Sequence, residues 1–115
     1  PVVRHFKIEI PPEGVKALQG DARRYVPATV TVEGSKFPQA GVRLKGHGSF
    51  RPITEKPSFT VKFNAFKLNL AISQIERVGL SAVRLTCVAG TNYIVRRDGS
   101  CLALVDPSKL KRKKK

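Results

Sequence analysis

The chain has 115 residues and 41 % hydrophobic content, enough for one domain with a small core and too apolar for wholesale disorder. Lys and Arg outnumber Asp and Glu by 22 to 8, a net charge of +14, so partners that are polyanions are expected: nucleic acid, nucleotides or anionic lipid. Two cysteines exclude a disulfide framework, their spacing excludes a CxxC metal site, and no apolar run approaches the ~20 residues of a membrane span. The chain contains no methionine and is expected to be processed or cut from something longer.

Residues 3–10 alternate with period two, which predicts a strand with Phe6, Ile8 and Ile10 inward, ended by Pro11 and Pro12. Residues 13–19 suit one or two helical turns, opened by Pro12 and stopped by Gly20. Residues 25–33 are rich in β-branched side chains and predict a second strand, with Pro27 at an edge or a strand start. Gly34-Ser35 is a turn signal, residues 35–39 carry the chain onward, and residues 40–45 form a third strand with Val42 and Leu44 on one face. The stretch 46–57 holds two Gly and two Pro and reads as a loop; in residues 58–63, Phe59, Val61 and Phe63 share one face of a fourth strand.

Beyond residue 66, Leu68, Ile72 and Ile75 fit a short helix. Residues 82–88, 91–97 and 100–105 then read as three short strands, with turns at 89–92 and at Asp98-Gly99. If both turns are two-residue hairpins, Cys87, Ile94, Arg96 and Cys101 share a face. The sulfurs then stand roughly 10 Å apart, which leaves both cysteines free and buried. The fold class expected is mainly β (α+β): a small antiparallel sheet or sandwich of about seven strands with one or two short helices. Six of the residues in 109–115 are basic, and these are expected to form a disordered tail.

The richest chemistry lies between the third and fourth strands. A strand delivers Arg43 and Lys45 to a glycine-rich loop in which Gly46 and Gly48 allow close backbone approach and Ser49 adds a hydroxyl. Arg51, Lys56 and Lys62 add positive charge. The spacing matches neither GxGxxG nor a P-loop, so the alternative is a hairpin loop whose cations face water. His47 beside Ser49 lacks a carboxylate orienter for nucleophilic catalysis.

Three ordered blocks, Arg24–Val30, Gly41–Arg51 and Lys56–Phe66, with the lead-in Val3–Leu18, resemble the spore-coat protein H (CotH) kinase-like family over about residues 4–66. The resemblance implies that residues 1–66 are an N-lobe β segment. Its Lys45, Gly46, Gly48, Ser49, Arg51 and Lys56 would face nucleotide phosphates, with ATP and Mg²⁺ as the cofactors of the full-length family. It also implies a bacterial source and an exported or spore-associated setting. Residues 67–108 do not match the family's continuation and read as a β-meander packed in the same domain, its origin open between a truncated or frame-altered relative and a fused chimera. The acids that kinase chemistry needs are missing: Glu76, Asp98 and Asp106 are isolated, and the two aspartates suit turns. No phosphoryl transfer by this chain alone is expected. The alternative function is a basic nucleic-acid-binding β-domain acting through Lys109, Lys111, Arg112, Lys113, Lys114 and Lys115.

Overall fold

The computed structural model describes residues 3–45, 53, 55 and 57–112. Strand β1 (Phe6–Ile10) buries Phe6, Ile8 and Ile10, as the alternation predicts. Helix α1 (Pro12–Gly20) opens on Pro12, where a missing N–H leaves no helical bond unmade, and lays Val15 and Leu18 on the core. Strand β2 (Val26–Val32) follows, with Pro27 at its start, before pairing with β1 begins.

Strand β3 (Ser35–Lys45) is longer than the third strand expected at 40–45. The turn is Glu33-Gly34, with φ of 49° and 82°, so Ser35 already faces Val32. Both central residues have the positive φ of the hairpin turn whose twist suits the strands. The segment 35–39 therefore pairs instead of wandering, and its Pro38 falls in a register slip between Ala28–Ala40 and Val30–Phe37. A bulge tolerates the missing donor of proline.

The left-handed conformation is uncommon for glutamate, and the side chain accounts for it here. Glu33 Oε2 accepts the backbone N–H groups of Arg4 at 2.9 Å and His5 at 2.6 Å, tying the turn to the start of β1. The Arg4 backbone bond, with further help from His5, holds the Glu33 carboxyl below its ordinary 4.5. Ser100 and Ser108 likewise hold Asp98 and Asp106 below 3.8, each through its hydroxyl and backbone N–H. All three folded values are depressed. Their contributions are therefore complete above the ordinary carboxylate values and fade as pH falls through the lowered ones. Glu33→Gln should make this acid limb shallower as pH falls below the ordinary 4.5 in thermal melts; an unchanged limb would refute the assignment.

Strand β4 (Ser58–Lys62), helix α2 (Ile72–Arg77), strand β5 (Arg84–Val95) and strand β6 (Cys101–Val105) complete the main elements. The expected apolar face of the second helix is reduced to Ile75: Leu68 and Ile72 precede or open the helix and are exposed. The strands expected at 82–88 and 91–97 are one strand. No turn forms at 89–92; the register slips between Ala89 and Asn92, and the chain continues. The turn before β6 has three residues, with Gly99 at φ 91° and Val95 opposite Cys101. That register differs by one from the two-residue reading, so the face assignment also changes. Ile94 and Arg96 face solvent while Cys87 and Cys101 are buried.

The sheet runs β4-β3-β2-β1-β6-β5, and β4 also pairs with β5, so the antiparallel strands curl into a closed barrel. Closure removes the free edges that a sheet or sandwich would leave. A 3-10 turn (Pro107–Lys109) leads to strand β7 (Lys111–Arg112), which pairs with Leu85 and Thr86 of β5. The basic run thus begins within the sheet, and Lys113, Lys114 and Lys115 lie outside the described residues. Strand polarity puts α1 and the 46–57 connection at one end of the barrel, and α2 and the Glu33-Gly34 turn at the other.

Inside, Phe59, Phe63, Ile8, Val30, Val42 and Leu85 are all buried and pack the lumen with side chains. Both cysteines are free and buried. Burial pushes the Cys87 thiol from 9.0 up to about 12 and raises Cys101 as well. At pH 8 that lowers the Cys87 thiolate fraction about a thousandfold. An aromatic disulfide reagent should leave the native protein unmodified and titrate both thiols after denaturation. Rapid native labelling would contradict this packing.

Candidate phosphate-binding face

Of the loop residues expected to meet phosphate, Gly46, Gly48, Ser49, Arg51 and Lys56 lie outside the described residues, as does His47. Lys45 is the last residue of β3, opposite Ser58, at the mouth of that connection. Within the connection, Ile53 is buried and its carbonyl accepts a hydrogen bond from the Tyr93 hydroxyl. Tyr93 in turn packs against Phe59, with ring centroids 6.3 Å apart, so Ile53 is tied to the core.

The outer surface of β3, β4, β5 and β7 gathers cations by register. Gly41, Lys62 and Arg84 form one cross-strand row. Arg43, Thr60, Thr86 and Lys111 form the next, and Lys45, Ser58 and Val88 the third. Same-face neighbours stand about 4.8 Å apart across strands and about 7 Å apart along them. Five cationic positions therefore surround two threonines. Thr60 and Thr86 are outward by register yet nearly inaccessible, at 1 % and 9 % exposure. Long Lys and Arg stems lying along a sheet produce that kind of coverage while their heads reach water.

Tyr25, just before β2, completes the face. Gly41 admits it: a Cβ there would stand 2.5 Å from Ala65 Cβ and 3.2 Å from Tyr25 Cδ1. The Arg43 guanidinium carbon lies 4.7 Å from the Tyr25 ring centroid and Lys62 Nζ lies 6.0 Å from it. Each is within the range of attraction between a cation and a π face. The Tyr25 hydroxyl is buried and has no hydrogen-bond partner among the described residues. A buried O–H beside two cations suits an anionic acceptor.

Among the described residues, no Asp or Glu occupies any of the three rows. Glu9 is on β1, where it lies 3.7 Å from both Lys7 and Arg96. Asp98 and Asp106 serve their own turns, as their sequence context predicts. Among the described residues no three His, Cys, Asp or Glu side chains form a metal-binding group, and no helix is long and apolar enough to cross a membrane. Lys45 and Lys62 are thus brought onto one face together with Arg43. Tyr25, Arg84 and Lys111 were not singled out for that face from the sequence. A glycine inside a strand, Gly41, is the sequence feature that marks a close approach there, and the structure fills it with Tyr25. No protein-family model, no curated protein and no solved structure matches the chain.

Proposed function

We propose that this barrel binds phosphate-bearing ligands, nucleotides foremost, on the β3–β4–β5–β7 face and performs no phosphoryl transfer by itself. The observation that carries the reading is the convergence of Arg43, Lys45, Lys62, Arg84 and Lys111 in three adjacent rows with no acid among them. Clustered cations over a low-dielectric barrel wall focus positive potential, and guanidinium and ammonium groups match phosphate oxygens. The resemblance of residues 4–66 to the CotH kinase-like N-lobe supports nucleotide as the ligand class, with Lys45 at the phosphate end. Magnesium, if it accompanies the nucleotide, is carried by the phosphates on this reading, because among the described residues no carboxylates meet at the face.

Calorimetric titration with ATP tests the proposal. The expected result is saturable binding weakened about two- to fivefold by Lys45→Ala, the loss of one exposed charge contact. No saturable binding, or identical binding by the variant, would refute it. The second reading, a nucleic-acid-binding β-domain, is favoured by β7, which brings Lys111 of the basic run onto the same face. It requires salt-steep oligonucleotide binding that disappears when residues 109–115 are deleted.

A further inference from the structure

A second surface has different chemistry. A groove lies between the first half of β3 and the segment that follows β4. Its floor is Phe37 and Leu70, the Phe37 ring backed edge to face by the buried Phe63 with centroids 5.0 Å apart. Lys36, Lys67 and Gln74 stand around it. Gln74 Oε1 accepts the Ala71 N–H at 3.1 Å, so the remainder of that amide offers N–H donors. No carboxylate lines the groove among the described residues.

The adjoining segment is unusually apolar for a surface. Leu68 and Ile72 are 84 % and 51 % exposed and flank in sequence Leu70, which lines the groove. Single exposed apolar residues are ordinary, but two on either side of a groove-lining residue mark an interaction surface. Folding leaves these side chains in water while Ile75, Val78 and Leu80 of the same region are buried.

We infer that this groove and residues 67–72 dock an acidic polypeptide segment with apolar anchors. One aromatic or aliphatic side chain would rest on Phe37 and Leu70, while flanking carboxylates meet Lys36 and Lys67. Charge complementarity selects this occupant: the rim offers ammonium groups and amide donors, and the floor offers nothing to a phosphate. Apolar anchors in a pocket supply affinity and rim charges supply orientation and rate. The groove is lined by none of the five cations of the phosphate face, and the inference stands whether or not that face binds nucleotide.

The test is an amide-shift titration of the intact chain with a synthetic peptide of sequence DEELFDELLEED. Two control peptides accompany it, one with every Leu and Phe changed to Ser, the other with every acid changed to its amide. The expected result is saturable shifts at residues 36–40 and 63–74, no saturation with either control, and no displacement by ATP. Lys36→Glu with Lys67→Glu should weaken binding at least tenfold, and Leu68→Ser by a few fold, both at exposed positions that leave the far-UV spectrum unchanged. Equal binding of the serine control would overturn the inference in favour of charge alone. Shifts confined to the Arg43–Lys62 region, or no binding at all, would overturn it as well.

Discussion

Replacing Phe59 with alanine should lower the free energy of unfolding by about 3–5 kcal/mol. Phe59 is fully buried in β4, opposite Leu44 on β3 and Cys87 on β5, at the seam where the β4–β5 pairing closes the barrel. Truncation would remove its transfer free energy and open a cavity that the crossing strands cannot collapse. A domain of this size is stable by only about 5–15 kcal/mol, so the variant should lose about a fifth or more of its stability. Phe59→Leu should cost less than about 2 kcal/mol, since most of the volume is retained. Urea midpoints measure both. A loss below about 1 kcal/mol for the alanine variant would mean that β4 does not form a closing seam.

The second large effect is functional. Arg43→Glu with Lys62→Glu should reduce ATP affinity on the order of a hundredfold. Each reversal exchanges an attraction for a repulsion, and a charge pair at contact in high dielectric is worth about 1 kcal/mol. The sum, trimmed for screening, is about 3 kcal/mol, close to two decades in affinity. Lys16→Glu with Arg97→Glu changes net charge equally but on α1 and the Arg97 turn, away from the face. That control should alter affinity by less than about threefold. Equal losses in both double variants would show that overall charge, rather than the Tyr25–Arg43–Lys62 arrangement, attracts the nucleotide.

Much of this architecture is legible from residue order because half-buried strands impose a period of two. Phe6, Ile8 and Ile10, then Val42 and Leu44, then Phe59, Val61 and Phe63 are all core, as alternation predicts. What escapes are features decided by pairing between distant segments. Ala89-Gly90-Thr91 reads as a turn, yet a continuing ladder to β6 holds it as an irregular stretch within one strand. The three-residue turn through Gly99 shifts the register by one and reverses which side chains face inward. Lys111 and Arg112 sit in a basic run that carries no local strand signal, and only the edge of β5 gives them a place.

The candidate site follows the same division. Lys45 and Lys62 stand out by charge and context, and Arg43 by alternation. Arg84 joins them only through β4–β5 pairing, Lys111 only through β5–β7 pairing, and Tyr25 only because Gly41 leaves room for its ring. Composition shows how many cations a chain carries, but register determines which of them become neighbours.

Backbone amide shifts of the intact chain during titration with ATP at low salt test the central claim most directly. Binding on the cationic barrel wall predicts saturable shifts at residues 41–45, 58–62, 84–86 and 111, with little change on β1 and β6. Shifts limited to residues 113–115, or centred on Lys7, Glu9 and Leu102 across the barrel, would contradict it.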